Sequence, residues 1–167
     1  VDACSIPKWD CPDFFKLTGD NLCGVIELDN LKWVYESVQG YKDIFNGFNL
    51  DINKYIYSGW VIFNESHREL FSKFKKFYLE NIDKFLKLQT ETVKRGTCQT
   101  PLNYFIQMNN VKVDFIPQTF RLSHLHRREA LRHNWQMDGT KYEDKTPFFI
   151  KYGYVWVFSG FAKEHRN

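Results

Sequence analysis

Residues 55–64 read YIYSGWVIFN, an uncharged run of β-branched and aromatic side chains. A run this apolar cannot alternate between a wet and a dry face, so it predicts a strand over Tyr55–Phe63 buried on both sides. The Ser58-Gly59 pair interrupts it. Glycine weakens a strand interior unless another group approaches the backbone closely or the chain must bulge. The pair therefore marks either a place where a ligand lies over the strand or a simple bulge.

Working outward, residues 66–88 place Leu70, Phe71, Phe74, Phe77, Tyr78, Ile82, Phe85 and Leu86 on one helical face and lysines and acids on the other. That periodicity predicts one long surface helix packed on a sheet. The Asn64-Glu65-Ser66 triplet before it reads both as a glycosylation sequon and as a helix start. Upstream, residues 30–39 carry Leu31, Val34, Tyr35 and Val38 at helical spacing, with Gly40 as a C-terminal stop. Downstream, Thr100-Pro101 reads as the N-cap and first residue of another helix, with Leu102, Phe105 and Ile106 turned inward. The loop Gly96-Thr97-Cys98-Gln99 then sits at a helix N-terminus, where backbone N–H groups favour anions.

Val111–Ile116 and Tyr152–Ser159 read as further strands, the first closed by Pro117 and the second followed by Gly160. Strands alternating with helices predict an α/β layer structure, in which ligands gather at the carboxyl ends of the strands. Asp2–Cys4, the Gly96 loop and the Gly160 loop are the segments expected to converge there.

The chain opens with VDAC, residues 1–4. An aspartate at a strand end with a second carboxylate two positions on commonly presents a pair to a divalent cation. Here the second position is Cys4. Three readings stand: a metal site that has lost a ligand, a site that uses a thiol, or no site.

Composition narrows the rest. A chain of 167 residues carries one real core, so a single domain over 1–167 is expected. A formal charge of +3, spread along the chain, calls for neither nucleic acid nor an anionic membrane. The 16 Phe, 9 Tyr and 5 Trp supply a core and also flat faces of the kind sugars and bases stack on. No apolar run reaches the roughly 18 residues of a membrane span, and no signal-peptide pattern is present. Cys4, Cys11, Cys23 and Cys98 fit neither a C-x-x-C spacing nor a dense secreted framework, which points to a reducing, cytoplasmic setting. Residues 124–133, HLHRREALRH, read as a phosphate or acidic-partner patch, as an H-x-H metal pair, or as a solvated helix face paired through Glu129.

Four stretches in order, VDAC (1–4), YIYSGWVIFN (55–64), GTCQTPLNYF (96–105) and WVFSGFAK (156–163), resemble the later two-thirds of a GT-A nucleotide-sugar glycosyltransferase of the glycogenin-like (family 8) type. A looser likeness runs through WDCPDFF, where a strand leads into a loop. The resemblance implies a GT-A-like mixed sheet flanked by helices, lacking the first βαβ part, which in the family precedes the position of Val1. It implies a retaining transfer of sugar from a nucleotide-sugar donor to a glycan or small-molecule acceptor, with no membrane or nucleic-acid partner. In such a transfer a divalent ion, Mn²⁺ or Mg²⁺, neutralises the leaving diphosphate.

Carried onto this chain, the resemblance assigns the catalytic pair to Cys98 and Gln99, donor binding to Asp2, Ser58, Gly59, Gly160 and Lys163, and the metal to Asp2 and Cys4. Lys163 supplies a point charge to the phosphates, and Ser58 and Gln99 orient the sugar. Four positions depart from the pattern. Cys4 stands for the second aspartate, Tyr57 for an asparagine, Cys98 for an aspartate and Val157 for a histidine. One carboxylate without its hard partners holds Mn²⁺ or Mg²⁺ poorly, so the ion site is expected to be weakened or lost. A softer ion between Cys4 and Cys98, or a disulfide between them if their Cα atoms lie within about 7 Å, are the thiol alternatives. The other functional reading is a non-catalytic GT-A-like domain that binds a glycan or a protein partner.

Overall fold

The computed structural model describes residues 5–28, 31–96, 98–117, 121–123 and 153–157. The chain divides into two compact units, residues 1–17 with 116–167, and residues 18–115. Each carries a three-stranded sheet, and the whole is mixed α/β.

In the first unit β1 (Ser5–Pro7) lies at the edge of its sheet, antiparallel to a central strand, Val155–Val157, that also pairs in parallel with Arg121–Ser123. Pro7 has no N–H to donate, and an edge position suits it. The ladder extends through Lys8 N–H to the Tyr154 carbonyl (2.8 Å), and Cys11 N–H closes a turn back onto Lys8 (3.1 Å). Asp13 then accepts from Phe15 N–H (3.1 Å) to open the single turn α1 (Phe14–Leu17).

The second unit is built on β2 (Leu22–Ile26), whose Leu22, Cys23 and Val25 are fully buried. One neighbour is β3 (Ile56–Ile62), antiparallel; the other is β4 (Val113–Phe115), parallel. The expected strand buried on both faces is therefore present as β3, with Ile56, Tyr57, Trp60 and Ile62 all buried. Its pairing with β2 is broken. Cys23 faces Ile62 and Gly24 faces Val61, yet Ile26 faces Ile56 rather than Gly59, so β3 carries three extra residues opposite Val25. Of the two readings of Ser58-Gly59, the bulge is realised.

The helices depart from the sequence expectation where tertiary contacts override local signals. α2 runs Leu31–Tyr41 straight through Gly40 and continues as a 3₁₀ turn, Lys42–Phe45. The chain turns only at Asn46 and Gly47, both at positive φ (53° and 73°). Gly40 is small because Val93 packs on it: a Cβ there would lie 2.3 Å from a Val93 methyl. The long helix is likewise divided, into a 3₁₀ turn (Glu65–His67), α3 (Arg68–Glu80), α4 (Ile82–Lys87) and a π turn (Leu88–Thr92). Asn81 causes the break. Its Nδ2 donates to the Phe77 carbonyl (3.0 Å), the kind of local side-chain bond that competes with the helical ladder. Leu86, expected inside, is 48% exposed.

The last described helix, α5 (Gln99–Met108), begins two residues earlier than expected. Cys98 occupies its N-cap without a side-chain bond, and Thr100 turns into the core instead of capping. Pro101 is tolerated because first-turn N–H groups have no intrahelical partner.

Two clusters fill the second unit. Val34, Val38, Tyr41, Phe45, Leu50, Tyr55, Phe85 and Tyr104 make one, with the Phe45 and Tyr104 rings stacked at 4.2 Å. Leu22, Ile56, Leu102 and Ile106 make the other, beneath Leu70, Phe71 and Phe74 of α3. Among the described residues no helix is long and apolar enough to cross a membrane.

Candidate functional site

The β3 bulge and the first turn of α5 bring together two of the separated motifs. Gln99 is buried, and its Oε1 accepts from the Ser58 backbone N–H (3.2 Å) and the Ser58 hydroxyl (3.3 Å). Bulges re-aim side chains and release a strand from its ladder; here the released N–H of Ser58 finds a glutamine amide. Gly59 lies beside it. A Cβ on Gly59 would sit 2.4 Å from the Tyr57 hydroxyl, so the tyrosine ring occupies the space that a side chain would take.

The Gln99–Ser58 contact is one rung of a longer arrangement. Four residues along α5, Asn103 is 1% exposed and grips Ile56 at both backbone groups, Oδ1 accepting from its N–H (2.7 Å) and Nδ2 donating to its carbonyl (2.8 Å). Nδ2 also donates to the Gln99 carbonyl (2.9 Å). Four residues further, Gln107 does the same to Asp51, accepting from its N–H (2.8 Å) and donating to its carbonyl (3.0 Å). Gln99, Asn103 and Gln107 thus form a stripe of carboxamides that serves the 51–58 segment as a neighbouring strand would. Between the first two rungs the spacing fits, since four helical residues rise about 6 Å and the two strand residues from Ser58 to Ile56 span roughly 6.6 Å; the third rung meets Asp51 beyond the 3₁₀ turn Ile52–Lys54.

Behind the first turn of α5 lies a buried hydroxyl network. The Thr100 hydroxyl bonds both the Ser37 hydroxyl (2.6 Å) and the Tyr55 phenol (2.7 Å). Burial pushes the Tyr55 phenol well above its ordinary range, against hydrogen bonds from Thr100 and Gln99 that act the other way, and the charge of buried Glu27 adds to the rise. Gly96, at φ +80°, closes over this network: a Cβ there would lie 2.0 Å from the Ser37 oxygen. Tyr41 donates to the Arg95 carbonyl (3.0 Å), and Arg95 pairs with Glu36 on α2, so the Gly96 loop is tied to the helix behind it.

Of the residues singled out by sequence, Ser58, Gly59 and Gln99 meet as described. Cys98 adjoins them in the chain, exposed and with a free thiol. Asp2, Cys4, Gly160 and Lys163 lie outside the described residues, as do residues 124–133. Val157 belongs to the strand Val155–Val157 at the centre of the first unit's sheet. Among the described residues no three His, Cys, Asp or Glu side chains gather as a metal site. Asp2, a thiol at position 4 and a valine at 157 are side chains that would suit a hard ion poorly.

Sequence reading missed Asn103, Gln107 and Glu27. The first two were visible in QTPLNYFIQ as amides at helical spacing, a pattern that also fits a merely polar face. No family model, curated protein or solved structure matches the chain.

Proposed function

We propose that this chain is a glycosyltransferase-like protein of the GT-A type, moving a sugar from a nucleotide-sugar donor to a glycan or small-molecule acceptor, with an ion site weakened by substitution. One observation carries the reading. Ser58 and Gln99, which belong to two separate stretches of the family likeness, are in hydrogen-bond contact across 41 positions of sequence. In the transfer the bond from the sugar's anomeric carbon to the diphosphate oxygen breaks, the oxygen keeping the electron pair. The acceptor hydroxyl forms the new bond and gives up its proton to the departing diphosphate oxygen. Ser58, held by Gln99, would orient the sugar, and Lys163 would offset charge on the departing diphosphate. Because the Gln99 amide is already engaged by Ser58 and Tyr55, it acts on a donor through the bulge it holds.

The test is direct binding of UDP-glucose, UDP-galactose and UDP-N-acetylglucosamine to the full-length protein by calorimetry, with and without Mn²⁺. Binding of at least one, tighter than UDP alone, is expected. No binding by any of the three overturns the reading.

A second reading, a non-catalytic domain of the same type binding a glycan or protein partner, is favoured by the Tyr57 phenol lying over Gly59, where the family pattern has an asparagine. The triple replacement Cys4→Asp, Cys98→Asp and Val157→His separates the two histories. A site stripped of its ligands gains Mn²⁺ affinity sharply on restoration. Unchanged affinity shows that these positions never formed one.

A further inference from the structure

We infer that Asn103 is a positioning residue for the Ser58–Gln99 site, the central clasp of a carboxamide stripe that fixes where the β3 bulge presents Ser58. The inference rests on the donor-site reading given above.

The bulge creates the need. Three extra residues loop out opposite Val25, and the β2 ladder resumes only at Ile56. A strand with slack of this kind can slip, and a slip of one residue sends every side chain to the opposite face. Ser58 would then trade places with Tyr57 or Gly59. The β2 ladder cannot prevent this, because it makes no pairing between Val61 and Ile56.

Asn103 supplies the holdfast from the other side. It grips both backbone groups of Ile56, the residue at which the bulge begins, and its third bond, to the Gln99 carbonyl, ties that grip to the turn of helix that carries Gln99. The helix runs against the strand, so Asn103 meets Ile56 where Gln99 meets Ser58. The distance between the two rungs is set by helix rise and strand rise, both stiff. Asparagine is suited because one short, planar group accepts from an N–H and donates to a C=O at once. Aspartate keeps the size and the acceptor but loses the donor, leaving the Ile56 carbonyl unserved.

Gln107 provides an internal control. It makes the same bidentate pairing, with Asp51, but five residues before the bulge starts and in a less buried place. It reports what the loss of such a rung does away from the bulge.

The experiment compares Asn103→Asp with Gln107→Glu in the full chain, with Asn103→Gln as a milder variant should the first fail to fold. Two readouts are taken: amide hydrogen exchange at Ser58, and the ratio of UDP-sugar to UDP affinity. Asn103→Asp is expected to speed Ser58 exchange and to lower the affinity ratio, each by about tenfold, with UDP affinity itself unchanged. Gln107→Glu should leave both within about twofold. Unchanged Ser58 exchange in the Asn103 variants overturns the proposal, and so does an equal loss of sugar discrimination in both rungs. Should the wild-type chain fail to distinguish UDP-sugars from UDP, the donor reading alone falls, and Ser58 exchange still decides whether Asn103 sets the bulge.

Discussion

Gly96 shows how a single residue is dictated by what stands across from it. Its φ of +80° is strained for any residue with a Cβ, and the Cβ would meet the Ser37 and Thr100 oxygens at 2.0 and 2.7 Å. Both neighbours are held by buried hydrogen bonds, so neither can withdraw. Gly96→Ala should therefore cost roughly 2 to 4 kcal/mol in urea denaturation; a loss under about half a kcal/mol would show the hydroxyl network to be loose. Other residues were legible without the fold. Asn64 reads as a helix start and acts as one, its Oδ1 accepting from Ser66 N–H (3.0 Å) in a reciprocal cap with His67. Thr100 carries the same kind of signal and does something else. A threonine hydroxyl caps a helix or enters the core according to the partners offered, and Ser37 and Tyr55 come from distant parts of the chain. Tyr57 over Gly59 is the same case: the glycine was visible, but the ring that requires it was not assignable from order along the chain.

Elements tell a similar story about competition between local and distant forces. The amphipathic patterns of α2, α3 and α5 were clear because burial of one face repeats every three to four residues. Their ends were not. Gly40 looks like a stop, yet lies inside a helix against Val93. Replacing an exposed helical glycine by alanine normally gains about 1 kcal/mol. At Gly40 the added methyl overlaps Val93, so Gly40→Ala should instead lose about 1 to 2 kcal/mol, while in a Val93→Ala background the same change should become neutral or stabilising. A thermal-denaturation double-mutant cycle gives the answer, and equal effects in both backgrounds would refute the packing account. The sheet shows the larger gap. That β3 is buried on both faces followed from its composition, whereas its three-residue shift against β2 depends on pairing between strands some thirty residues apart and on the amides of α5.

At the scale of the molecule, a cluster of tyrosines and phenylalanines forms the core of the second unit. Tyr41, Tyr55 and Tyr104 are fully buried within one cluster that also stacks Phe45 and Phe85. Burial pushes Tyr41 and Tyr104 up to about 12, and Tyr55 in the same direction. Unfolded phenols ionise near pH 10. A raised folded value means that the folded state holds its proton longer, so this stabilisation is complete below about pH 10 and is lost as pH rises toward 12. The urea midpoint should thus be insensitive to these groups up to about pH 10 and fall steeply above it, with tyrosinate absorbance rising together with unfolding. Buried phenols that titrate while the chain stays folded would contradict it. The sequence by itself determined the mixture of strands and helices and that β3 is buried on both faces, because side-chain polarity and periodicity act locally. Only the tertiary structure decided that Ser58 and Gln99 touch, that Gln99, Asn103 and Gln107 act as a substitute strand, and where β3 bulges. Those contacts join backbone groups far apart in the chain, and a hydrogen bond has no partner until folding brings one within about 3 Å.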